Sequence, residues 1–139
     1  MTAQQLQFAP RNLAFDGPSD STDALDRLAV VDLVHLSRQT LGDSALETEL
    51  LALFQNQAQQ FAKRLLGPSH PGDEKWRAEL AHTLKGSARA VGAFKVAQAA
   101  ENYEAAINSR AANIDAVLLR LAEAIDETRR EIAGLLERV

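Results

Sequence analysis

The chain has 139 residues, a length that suits one domain with its own hydrophobic core. It contains no cysteine, which excludes disulfides and thiolate metal sites, and its sparse Gly (7), Pro (4) and aromatic content (5%) fits a helical protein. A net charge of −4 argues against nucleic acid as the main partner, and no run of apolar residues suits a membrane span or a signal peptide, so a cytoplasmic protein is expected.

Residues 1–27 show no sustained hydrophobic period. Their scattered Leu6, Phe8, Leu13 and Phe15 suggest an arm that packs on the remainder through those side chains. Residues 28–139 read as one helical unit. Leu28, Val31 and Val34, then Leu33, Leu36 and Thr40, outline a short amphipathic helix near 30–41 that Gly42 terminates. Asp43 or Ser44 suits the N-cap of the next helix, in which Leu46, Leu50, Leu53 or Phe54, Ala58, Phe61 and Leu65 recur every three or four residues. The segment from Gly67 to Gly72, with Pro68 and Pro71, breaks the chain.

Asp73 is predicted to cap a third helix over residues 74–91, which Gly92 ends. A fourth helix carries Val96, Ala100, Tyr103 and Ile107 on one face. Asn113 is predicted to cap the last helix. Its stripe of Ile114, Leu118, Leu121, Ile125, Thr128, Ile132, Leu135 and Val139 alternates steps of four and three, as bundle seams do. The expected fold is all-α: an antiparallel four-helix bundle with a short additional N-terminal helix packed at one end.

The chemistry lies in the run from Ala81 to Gly92. Winding it at about 100° per residue puts Lys75, Ala78, Glu79, Lys85, Gly86 and Arg89 within about 60° of His82. Leu80, Leu84, Ser87 and Val91 fall on the opposite side, flanked by Trp76 and Ala88, and define the core face. Most lone histidines in helices fill core or capping positions. His82 points away from the core and caps nothing. Gly86 lies one turn further on the same exposed face, where glycine costs about 1 kcal/mol relative to alanine. A close helix crossing would place such a glycine on the core face, so its position suggests that something external approaches the backbone beside the imidazole. Lys85 and Arg89 are ordinary as separate solvated cations. Beside an exposed histidine they form a cationic pad suited to a phosphoryl group.

His82-Thr83-Leu84-Lys85-Gly86-Ser87 resembles the H-x-x-K-G-[SA] signature of histidine-containing phosphotransfer (HPt) domains, and Val91-Gly92 matches the turn found some ten residues later. The resemblance spans the helical region and leaves the arm unassigned. It implies that His82 takes a phosphoryl group on Nε2 from an aspartyl phosphate, that Lys85 assists with charge, and that Gly86 leaves room for docking. Ala78, Glu79, Gly86 and Arg89 are the expected partner-binding residues. The chain reverses at Gly92-Ala93, so Tyr103 or Glu104 lies level with His82; Tyr103 belongs to the core stripe, which leaves Glu104 at the rim. Family members carry Glu or Gln there to accept a hydrogen bond from Nδ1–H, although a surface carboxylate paired with Lys85 or Arg110 is an equal reading.

The implied partners are receiver domains of response regulators or hybrid kinases, with no nucleic acid or membrane, and the chain is expected to be a monomer. No cofactor or metal site is expected in this chain; Mg²⁺ would come with the receiver. Without a phosphate-binding loop the chain is expected to carry phosphate and not to act as an ATP-dependent enzyme. His35 and His70 lack companions at ligand spacing and are expected on the surface. Docking is expected to bury apolar residues such as Val34, Leu36 and Leu41 from the short helix, with others from the 43–66 helix. The alternative function is an unphosphorylated bundle that binds and regulates a kinase or receiver. The helical hairpin of a sensor kinase would need an ATP-binding domain for which 139 residues leave no room, and hydrolytic chemistry would need paired carboxylates that the helical levels do not supply.

Overall fold

The structure, a computed structural model, describes residue 25 and residues 27–138. Among them are five helices and no strand: α1 (Leu33–Thr40), α2 (Ser44–Leu66), α3 (Glu74–Val91), α4 (Phe94–Ser109) and α5 (Ile114–Glu137). Helices α2–α5 pack as the expected antiparallel bundle, and α1 lies against α2 and α3. Leu6, Phe8, Leu13, Phe15 and Val139 lie outside the described residues. Leu25, within the segment assigned to the arm, is buried in the core.

Local chemistry fixes the helix ends. Asp32 caps α1, its Oδ1 accepting from the His35 N–H at 3.0 Å, and Asp43 caps α2 by accepting from Leu46 N–H at 3.1 Å. Two expected caps form differently. Asp73 occupies the N-cap position of α3 without a capping bond; its carboxylate turns back to accept from His70 N–H at 2.7 Å. Asn113 stands at the N-cap of α5 with no side-chain bond to the helix.

The core draws Leu51, Phe54, Ala58 and Leu65 from α2, and Ile107, Leu121, Ile125 and Ile132 from α4 and α5. Of the Leu53/Phe54 alternative, Phe54 points inward and Leu53 is exposed, while Leu51 takes the inner place assigned to Leu50. Alanines dominate where α3 meets α4: Ala81, Ala88, Ala93, Ala97 and Ala100 are all buried. Their small side chains let the two backbones approach closely.

This pair forms a hairpin with a two-residue turn. Gly92 adopts φ 83°, and the reversal is closed by Ala93 N–H donating to Ala88 O at 2.8 Å. Residues 29–32 run across the turn: Asp32 N–H donates to Gly92 O at 2.9 Å, and Lys95 N–H to Ala29 O at 3.1 Å. A Cβ at position 92 would sit 2.7 Å from the Asp32 carbonyl oxygen. Glycine is therefore required twice, by the left-handed backbone and by the crossing strap.

At the other end of the bundle the helical pattern hides a buried cation. Arg77 is 5% exposed and points among the core residues. Its Nη1 donates to Leu65 O at 2.7 Å and to Tyr103 Oη at 3.3 Å; its Nη2 donates to Gly67 O at 3.2 Å and Pro68 O at 3.3 Å. Leu65 and its successors end α2, where carbonyls lack helical donors and the dipole favours a positive charge. One side chain thus joins α2, the Pro/Gly loop, α3 and α4.

Replacing Gly92 by Ala forces a Cβ into both constraints. The left-handed backbone and the overpacking together should lower unfolding free energy by about 2–4 kcal/mol, measured as a reduced urea midpoint with an unchanged m-value.

Candidate functional site

The buried positions of α3 are Arg77, Ala81, Leu84, Ala88 and Val91. This core face is turned by about 50°, half the step between neighbouring residues, from the face expected around Leu80, Leu84, Ser87 and Val91. Leu80 and Ser87 are half-buried instead. The cause is the close alanine contact with α4, which draws Ala81 inward. His82 stays exposed, with 64% of its side chain accessible, while Lys85 is drawn toward α4 and keeps only 16%.

The turn at Gly92 brings Glu104 level with His82. Nδ1 of His82 lies 3.2 Å from both Oε1 and Oε2 of Glu104, whose side chain is 22% exposed. An ionised carboxylate has only acceptor sites, so a neutral imidazole bonded to it carries its hydrogen on Nδ1. The lone pair then resides on Nε2, the nitrogen further from the carboxylate. Lys85 Nζ approaches the same Glu104 at 3.5 Å, so one carboxylate serves a histidine and a lysine. Tyr103, the other residue considered for this level, is buried and its hydroxyl accepts from Arg77.

The cationic pad differs from expectation. Lys85 faces Glu104, and Arg89 Nη2 donates to Glu101 Oε1 at 3.0 Å, so each cation meets an α4 carboxylate. The register that pairs His82 with Glu104 sets Ala97 opposite Arg89, so Glu101 lies one turn further along α4 and the count did not mark it. Gly86 is exposed, and a Cβ built there would meet nothing within 4 Å. Nothing within the described structure requires glycine at that position. Ala78 and Glu79 line a cleft beside His82 together with Thr83, Glu104 and Asn108.

Of the remaining histidines, His70 is exposed in its loop, as expected. His35 is half-buried, its ring edge-on to Phe94 with centroids 5.1 Å apart, because α1 folds back over the start of α4. Leu36 of α1 is buried at 1% exposure and cannot join a docking surface, whereas Val34 and Leu41, the residue that follows the helix, are exposed. Bonds from the Trp76 side chain and then the His70 backbone hold the Asp73 carboxyl below the ordinary carboxylate range. Among the described residues no three His, Asp or Glu side chains gather as metal ligands, and no helix is long and apolar enough to cross a membrane.

A family model described as the Hpt domain matches residues 46–137, which spans nearly all of α2 and the whole of α3, α4 and α5. No curated protein and no solved structure matches the chain.

Two measurements check this geometry. Substituting Glu104 by Ala should lower the Nδ1–H share of neutral His82, read from ¹⁵N shifts of the ring nitrogens above the imidazole titration; an unchanged tautomer ratio would deny Glu104 that influence. Substituting Gly86 by Ala should raise stability by about 0.5–1 kcal/mol, since the new methyl meets open space and alanine is the better helix former.

Proposed function

Because the chain belongs to the Hpt-domain family, whose members carry phosphoryl groups in phosphorelays and interact with receiver domains, we propose that His82 is the residue through which this chain does so. The observation that carries the reading is the pairing of an exposed imidazole with a carboxylate acceptor on Nδ1. Nucleophilic attack needs a lone pair on the nitrogen facing the partner, and this pairing favours that tautomer.

In the forward step Nε2 attacks the phosphorus of a receiver's aspartyl phosphate. The N–P bond forms as the P–O bond to the acyl carbon's oxygen breaks, and the aspartate leaves as a carboxylate with the bonding pair. Nδ1 keeps its proton, and the imidazolium charge that develops faces Glu104. The return step is the reverse: a second receiver's aspartate attacks phosphorus and the N–P electrons go back to Nε2. Positioning and electrostatics supply the rate. Lys85, at the edge of this site, balances negative charge on the phosphoryl oxygens. Any divalent cation acts from the receiver's side.

Gly86, Ala78, Glu79 and Arg89 form the proposed docking surround. An exposed glycine with open space above it lets a receiver loop reach the α3 backbone beside His82. We take residues 28–139 as the phosphotransfer unit, acting as a cytoplasmic monomer, with residues 1–27 as an appended arm.

Incubation with a panel of phosphorylated receivers tests the reading. The wild-type chain should acquire an acid-labile, alkali-stable label from at least one of them, and His82→Ala should acquire none. Label persisting in His82→Ala would move the phosphorylation to another residue and sink the assignment.

A further inference from the structure

Two shallow clefts adjoin along the seam between α3 and α4. One lies beside His82; the next, toward the start of α3, is lined by Glu74, Lys75, Ile107 and Arg110. Ala78, Glu79 and Asn108 line both, so the surface is continuous from the imidazole to Lys75 and Arg110.

The cations along this face are not equivalent. Lys85 is engaged by Glu104 and Arg89 by Glu101. The side chains of Lys75 and Arg110 are exposed and make no hydrogen bond or ion pair with any described residue. Lys75 precedes His82 by two helical turns, about 10 Å along the axis and on nearly the same line. Arg110 follows the last turn of α4 with φ 54°, and its side chain lines the same cleft. Glu74 and Glu79 share this surface, so it is a mixed-charge strip and not a basic patch. Its cations remain available because neither glutamate lies within ion-pair distance of them.

The reach of a partner decides whether these charges matter. A protein interface of ordinary size covers about 800 Å² on each side, a disc of roughly 16 Å radius. A receiver centred on His82 therefore extends over Lys75. Charges at such a rim contribute mainly to association rate and partner choice, and they do so most where no intrachain partner already compensates them.

We propose that Lys75 and Arg110 select among receiver domains by meeting an acidic segment of the receiver beside its phosphorylated aspartate. The inference rests on the proposed transfer between receivers and His82. At this end of the seam the free cations favour receivers with carboxylates there and disfavour those with lysine or arginine. The Arg89 end contributes less discrimination, because its charge is already balanced by Glu101.

The test uses the full chain with Lys75→Glu and Arg110→Glu combined. Both residues are exposed, and Glu at position 110 bears the same left-handed backbone as Arg. Phosphoramidate serves as a small donor that needs no docking surface, alongside the panel of phosphorylated receivers. The expected result is unchanged labelling of His82 by phosphoramidate, with kcat/KM from acidic-rimmed receivers reduced about tenfold or more. The salt dependence of that transfer should flatten, and the rank order of receivers should change. Unchanged rates and salt dependence for every receiver that labels the wild type would overturn the inference. So would equal losses with phosphoramidate and receivers, since that pattern marks damage to the imidazole site. If the wild type takes no label from any receiver, the proposed transfer itself fails, a result separate from either of these.

Discussion

The two-residue reversal at Gly92 and Ala93 is the constraint on which the site depends. It leaves α3 and α4 no slack, so each residue of one helix has a fixed opposite on the other. Glu104 meets His82 for this reason, and Arg89 reaches one turn along α4 from its own level to meet Glu101. A longer connection would permit sliding by a turn, and the carboxylates would then face other residues. The alanines between the two helices reinforce the register by close contact, and the strap at residues 29–32 fastens the turn from outside.

Much of this was legible in the sequence because periodicity and turn chemistry agree. Glycine at positions 42 and 92, aspartate at 43 and the Pro/Gly break set the helix limits, and the short turn allowed the level of His82 to be counted along the next helix. What escaped depends on packing in three dimensions. The core face of α3 is rotated because α4 is lined with alanine, a property of the neighbour and not of α3 itself. Arg77 carries no mark of a buried cation in the sequence, because three of its partners are backbone carbonyls, which leave no sequence signal. His35 became half-buried through the return of α1 over α4, a contact between segments nearly sixty residues apart.

Glu104 makes the site electrically economical. With a neutral imidazole, Glu104 and Lys85 cancel in formal charge, and both are largely screened from solvent. A carrier that must give up what it receives gains from such balance. A strongly positive cluster would hold the phosphoryl group and slow its departure, whereas an uncompensated carboxylate would repel it on arrival. In the proposed role, the pairing of lysine with glutamate moderates both directions of transfer.

Arg77 carries a different implication, one of tolerance to acid. Its four donated bonds end on three main-chain carbonyls and a phenol, none of which gains a proton on moderate acidification. Among the described residues its ion-pair partner is Asp73, 4.0 Å from its Nε, and that carboxyl is held below its ordinary range. The benefit of a depressed carboxyl is present above its unfolded value and fades only as pH falls through the lower folded one. The knot joining α2, the loop, α3 and α4 thus stays tied over the pH range in which ordinary surface ion pairs come undone.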